Sequence, residues 1–61
     1  MSIMESKFII YFPADDTYLY TLRTKVKAKD IAKKYSSPQA AKQAVTKSEW
    51  KHEKYVILPY D

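Results

Sequence analysis

The chain has 61 residues, no Cys, no Gly and a formal net charge of +4, from eleven Lys and Arg against seven Asp and Glu. This length allows one domain with a small core. The absence of Cys excludes disulfides, thiolate zinc sites and cysteine nucleophiles, and the absence of Gly excludes Gly-rich phosphate loops. We therefore expect a single domain over residues 1–61, with no cofactor, no metal and no enzymatic activity.

The first residues and the apolar runs bear on location. The longest apolar run, residues 8–12, has five residues, far fewer than the roughly 20 that span a bilayer. Residues 1–6 lack a basic stretch followed by a long apolar one, so we expect no signal peptide and a frayed lead-in. These features predict a cytoplasmic protein.

Two β-rich runs surround a turn in the first third of the chain. Residues 7–12 (KFIIYF) and 17–23 (TYLYTLR) have the β-branched and aromatic composition of strands. Between them, residues 13–16 (PADD) combine Pro, which presets φ, with Asp, which hydrogen-bonds its own backbone. The pattern predicts a β-hairpin.

The rest of the chain predicts one helix and one more strand. Residues 24–29 either prolong the second strand or form a connection, and Asp30 is expected to cap a short helical turn that includes Ile31 and Ala32. Ser37 followed by Pro38 is typical of a helix start, so the main helix is predicted over 38–48. Residues 54–60 (KYVILPY) predict a third strand that Pro59 ends.

These elements predict an α+β fold of ββαβ order. It has a three-stranded antiparallel sheet of order 2-1-3 and one helix packed on one face. Phe8, Ile10 and Phe12 are expected to face the helix. The hairpin register stays open at this point, because an even-length turn and an odd-length turn place opposite sets of side chains in the core.

One helix cannot cover both faces of a three-stranded sheet, so the other face is expected to carry exposed apolar side chains. An uncovered apolar face indicates an interface, and Tyr is favoured at interfaces. The predicted partner-binding residues are Ile9, Tyr11, Tyr18, Tyr20 and Tyr55. Either a second copy in a homodimer or another protein would cover them.

A second hypothesis rests on positive charge. Lys25, Lys27 and Lys29 alternate with smaller residues, so in an extended strand they share one side and form a basic ridge that begins at Arg23. Such a ridge beside tyrosines would suit a single-stranded nucleic acid, with phosphates on the lysines and bases stacked on the rings. Ten of the eleven cations are Lys, however, and a solvated lysine edge explains the same pattern.

Three segments resemble the layout of a protein group. "YLYT", "AKKYSSPQAAKQAV" and "YVILPY" together are similar to short uncharacterised proteins of bacteriophages and prophages of Gram-positive bacteria. The resemblance implies a small accessory protein that acts in the host cytoplasm on a host or phage factor. Function is accordingly expected to be that of a non-enzymatic protein-interaction module, such as an inhibitor or adaptor, and the alternative is a small basic nucleic-acid-binding module.

Overall fold

The computed structural model describes residues 7–60. The prediction that residues 1–6 are frayed lies outside this range. Five elements follow one another: β1 (Lys7–Phe12), β2 (Thr17–Thr21), β3 (Thr24–Val26), α1 (Pro38–Lys47) and β4 (Val56–Tyr60). All strand pairs are antiparallel, and the sheet order is β3-β2-β1-β4. One helix on one sheet is consistent with a small α+β domain.

The predicted three-stranded sheet of order 2-1-3 is wrong, because the described residues form four strands. Residues 24–26 neither prolong β2 nor serve only as a connection; they turn back as β3 and pair with β2. The turn at Leu22 and Arg23 lacks the Gly or Asn that usually marks a two-residue hairpin. Since neither residue has positive φ, the turn does not match the strand twist, and the β2–β3 register shifts between Leu19 and Thr21.

The β1–β2 turn selects the even-length register. Phe12 pairs with Thr17 and Tyr11 with Tyr18. The backbone N–H groups of Asp15 and Asp16 donate to the Phe12 carbonyl at 3.2 and 2.8 Å. Asp16 adopts a φ of 57°, a left-handed conformation that Asp tolerates better than most residues other than Gly.

β4 pairs with β1 over its full length, and Pro59 lies within β4 rather than ending it as predicted. Phe8 opposes Pro59, and Ile9 opposes Leu58. The N–H and C=O of Phe8 bond to Tyr35 on the other side of β1, at 2.9 and 2.8 Å. Phe8 and Pro59 therefore form a non-hydrogen-bonded pair. The missing N–H of Pro59 thus costs the β1–β4 ladder nothing and falls on the edge of β4 that no strand of residues 7–60 pairs with.

The connection over residues 27–35 lies across one face of the sheet and then enters its plane. Two successive turns carry it, with N–H groups of Ile31 and Ala32 bonded to carbonyls three residues earlier. The short turn thus starts at Ala28, and Asp30 lies inside it rather than capping it. The backbone N–H of Lys33 then donates to the Leu19 carbonyl at 3.0 Å, and Tyr35 forms an antiparallel bridge with Phe8. The chain in this way passes between the separated ends of β1 and β2.

Helix α1 closes the opposite face. Ser37 caps its start, with the side-chain oxygen accepting from the Ala40 N–H at 3.1 Å, and Pro38 takes the first turn, where no N–H is needed. Ser48 ends it, since its hydroxyl donates to the Val45 carbonyl at 2.7 Å. The fully buried core residues on this helix face are Ile10, Phe12, Leu19, Ala41 and Val45.

Candidate interaction surfaces

A row of four side chains crosses the sheet on the face away from the helix, which we call the outer face. The paired positions run from Val56 on β4 through Tyr11 on β1 and Tyr18 on β2 to Val26 on β3. We call this set the tyrosine row. Three interstrand spacings of about 4.8 Å make it about 14 Å long. Val56 is 41 % exposed and the other three are partly exposed, so the row is open to contact.

The two central tyrosines of the row hold each other in place. Their ring centroids are 5.2 Å apart and the rings are tilted by 46°, the kind of arrangement that aromatic pairs prefer. The Tyr11 hydroxyl donates to the Asp16 carboxylate at 2.8 Å. This hydrogen bond is the main reason that the pKa of Tyr11 is raised. The row is therefore a pre-ordered aromatic platform on the strands, anchored at the hairpin turn.

The structure separates the five residues predicted to bind a partner. Tyr11 and Tyr18 lie in the tyrosine row. Ile9 is on the same face but is 0 % exposed. It and Ala32 are the two buried apolar residues outside the helix-side core, which places residues 27–34 over it. Tyr55 packs against the helix-side core, and Tyr20 lines a groove beside the helix. Because Ile9 is covered and these two tyrosines lie elsewhere, the exposed part of the outer face is smaller than predicted.

Lys25 does not belong to an open basic ridge. It opposes Leu19 and therefore points to the helix side, where its side chain is 11 % exposed. Its ammonium lies 4.2 Å from the centroid of the Phe12 ring and 4.8 Å from that of Trp50. It also donates to Asp15 at 2.5 Å and to Glu53 at 2.9 Å. The Lys25 ammonium thus contacts two carboxylates and two aromatic rings.

The pKa of Lys25 reflects these competing contacts. Burial on its own lowers the pKa, because it disfavours the charged form. The hydrogen bonds to Asp15 and Glu53, together with their negative charges, outweigh the burial, and the pKa is raised. Lys25 is therefore a firmly protonated structural cation that joins β3 to the β1–β2 turn and to the segment before β4.

The other members of the predicted ridge point elsewhere. Arg23 pairs with Glu49 at 3.6 Å. Lys29 lies 5.7 Å from the centroid of the Tyr60 ring, beyond the end of β3. Lys27 is exposed. Arg23, Lys25 and Lys29 therefore contact different groups, and the extended backbone on which the ridge depended ends at Val26.

A groove between the helix and the end of β2 was not predicted from the sequence. It has a volume of about 560 Å³, within the size range of small-ligand sites. β2 and the turn after it contribute Tyr20 and Leu22, which are 44 % and 43 % exposed. The facing walls include Tyr35, Ala44, Lys33 and Lys47. No local pattern marks this groove, since its lining residues come from β2 and the turn after it, from residues 33–35 and from α1.

Potential metal ligands are dispersed in the described range. Among residues 7–60, no three His, Cys, Asp or Glu side chains lie close enough together to hold a metal ion. Within the same residues, no helix has the length and apolar character to cross a membrane. His52, the single histidine of the chain, is exposed.

Comparison with protein-family models, with curated proteins and with solved structures finds no match for this chain. The resemblance to phage and prophage proteins therefore stays a prediction, and functional inference depends on the surfaces described above.

Proposed function

We propose that the protein is a non-enzymatic protein-interaction module that associates with a second copy of itself through the tyrosine row. The observation that carries this proposal is the continuous line of Val56, Tyr11, Tyr18 and Val26 across all four strands. Aromatic side chains on strands bind with little loss of conformational entropy, because their backbone and their rings are already ordered.

The order of side chains in the row suits a symmetric contact. The row reads Val, Tyr, Tyr, Val in either direction, so a second copy related by a two-fold rotation presents matching side chains to the first. Homodimers are built on such self-complementary patches. A stable interface buries about 800 Å² per partner, and four partly buried side chains supply only part of that area. The expected dimer is therefore weak, with dissociation in the micromolar range.

The outer edge of β4 favours a dimer in which the outer faces of two copies pack together over one in which two β4 strands pair. An added strand needs unpaired N–H and C=O groups along the edge of a sheet. Pro59 lies on the outer side of β4 and provides no N–H there. Pairing of two β4 strands would leave one ladder position without a hydrogen bond, whereas contact through the tyrosine row has no such cost.

Two tyrosines on β2 allow a matched experiment. Tyr18 lies in the tyrosine row and Tyr20 does not. Light scattering and sedimentation velocity should show a monomer–dimer equilibrium for the wild type. Tyr18→Ser should shift it strongly toward the monomer, while Tyr20→Ser should leave it unchanged. The mass of a single chain at every wild-type concentration, or equal effects of the two variants, would contradict the proposal.

The nucleic-acid alternative is tested on the same samples. Bases that stack on Tyr11 and Tyr18 would need cations close by, but Lys25 is held by Asp15 and Glu53. Titration of fluorescent single-stranded DNA and RNA at low salt should therefore show no appreciable affinity. Binding that weakens steeply with salt and is lost in Lys27→Gln together with Tyr18→Ser would favour the alternative.

A further inference from the structure

The groove between α1 and the end of β2 combines an apolar lining with two cations that nothing in the described chain neutralises. Tyr20, Leu22, Tyr35 and Ala44 supply the apolar surface, and Lys33 and Lys47 supply the charge. Across residues 7–60, the ion pairs join other cations: Arg23 to Glu49, and Lys25 to Asp15 and Glu53. Lys33 and Lys47 have no carboxylate partner in that range.

The two lysines of the groove are exposed to solvent, and its apolar side chains are exposed or partly exposed. Tyr20 and Leu22 are among the four large apolar residues that are most exposed in residues 7–60. Single exposed apolar residues are ordinary on protein surfaces. Together with Tyr35 and Ala44, however, Tyr20 and Leu22 line one groove, and apolar grooves with a few polar groups are where ligands commonly bind.

We infer that this groove binds a short linear segment of another protein in which apolar and acidic side chains alternate. The apolar side chains would contact Tyr20, Leu22 and Ala44, and the carboxylates would pair with Lys33 and Lys47. Charge complementarity argues for an acidic occupant, since the groove presents two ammonium groups and no free carboxylate from the described residues. A volume of about 560 Å³ suits a few peptide side chains rather than a folded surface.

This inference is independent of self-association, because none of the four residues of the tyrosine row lines the groove. A dimer through the outer face would leave both grooves free. The protein would then present two equivalent peptide-binding sites, and two linked sites raise the apparent affinity for a partner that carries repeated acidic segments.

The test uses the full-length chain and labelled synthetic peptides in which Leu or Phe alternates with Glu. Matched peptides carry Gln in place of each Glu. Fluorescence anisotropy should show binding of the Glu peptides and about fivefold weaker binding or more for the Gln peptides, since each exposed ion pair contributes up to roughly that factor. Lys47→Gln should weaken binding of the Glu peptides about two- to fivefold.

Control variants separate the groove from general positive charge. Lys42 lies on the same helix and is exposed, but it does not line this groove. Lys42→Gln should therefore leave the affinity unchanged. Tyr20→Ser should abolish peptide binding, and Tyr18→Ser should not. Because Tyr20 is exposed, we expect Tyr20→Ser to stay folded. Circular dichroism checks this.

Several outcomes would overturn the inference. They are failure of every Glu peptide to bind, equal affinity for Glu and Gln peptides, and equal effects of Lys42→Gln and Lys47→Gln. Tighter binding of single-stranded DNA than of peptide through Lys33 and Lys47 would also overturn it and assign the groove to nucleic acid. Intact peptide binding in Tyr18→Ser, together with loss of dimerisation, would support the inference, because the groove would then bind peptide without the tyrosine row.

Discussion

The two faces of the sheet carry similar side chains but are covered by different structures. On the helix side, Ile10, Phe12 and Leu19 are sealed by α1 through Ala41 and Val45. On the outer side, a segment without regular structure covers Ile9 and leaves Tyr11 and Tyr18 partly open. The difference indicates that exposure in a domain of this size depends on the path of the chain more than on the apolar content of each face.

The lysines on the two faces of the sheet also make different contacts. On the helix side, the nearly buried Lys25 ammonium lies over the Phe12 and Trp50 rings and bonds to Asp15 and Glu53. On the outer side, Lys29 and Lys34 approach the Tyr60 ring from the covering segment. Because Lys25 bonds to two carboxylates, it joins segments that are distant in sequence. Lys29 and Lys34 only contact the Tyr60 ring and form no ion pair within residues 7–60.

The largest expected effect is on the helix face. Truncation of a buried Phe costs about 3–5 kcal/mol, which is comparable to the whole stability of a core this small. Phe12→Ala should therefore be largely unfolded by circular dichroism and in urea titrations. Tyr18→Ala, on the open part of the outer face, should keep a cooperative transition. The reverse ranking would show that the outer face is the main core.

Ile9 and Val56 test the partial cover of the outer face. Ile9 is 0 % exposed and Val56 is 41 % exposed, although both belong to this face. Ile9→Ala should lower the free energy of unfolding by about 2–5 kcal/mol. Val56→Ala should change it by about 0.5 kcal/mol or less. Similar losses in chemical denaturation would mean that residues 27–34 do not seal Ile9.

Lys25→Met tests whether this lysine is structural. Met keeps the apolar packing on Phe12 but loses the bonds to Asp15 and Glu53. Hydrogen bonds to charged groups contribute about 1.5–3 kcal/mol. Because both carboxylates are about half exposed, we expect a smaller loss of about 1–2 kcal/mol. Lys27→Met, at an exposed lysine two residues away, is the control and should be nearly neutral in the same denaturant titrations.

The stabilisation from Lys25 should also depend on pH. Its folded-state pKa is raised above the ordinary 10.5, so the contribution is complete below about pH 10.5 and is lost as the pH rises through the folded-state pKa. The difference in unfolding free energy between wild type and Lys25→Met should shrink as the pH rises above about 10.5. A difference that is constant or grows over this range would contradict the protonated bridge.

The tyrosines act in the same direction at high pH. The pKa of Tyr11 is raised by its hydrogen bond to Asp16, and that of Tyr35 is raised by burial. Both folded-state values exceed the ordinary 10.0, so both contributions are present at neutral pH and lost in alkali. Wild type and Lys25→Met both contain Tyr11 and Tyr35. The difference between their unfolding free energies therefore reports on Lys25 and not on the tyrosines.

Local chemistry in the sequence determined the elements that need no distant contact. Pro13 to Asp16 specify a turn between two β-rich runs, and the structure has β1 and β2 on either side of it. Ser37 and Pro38 specify the start of the helix, which begins at Pro38. These signals can be read from the sequence because turns and helix caps depend on a few adjacent residues.

Tertiary structure alone decided what lies on each surface. β3 turns back at Leu22 and Arg23 without a Gly or Asn to mark the turn. Ile9 is buried because residues 27–34 lie over it, and Lys25 meets carboxylates 10 and 28 positions away in the chain. The groove is lined jointly by β2, residues 33–35 and α1. Apart from the β2–β3 turn, each of these depends on contacts between segments far apart in sequence, which local propensity and periodicity do not encode.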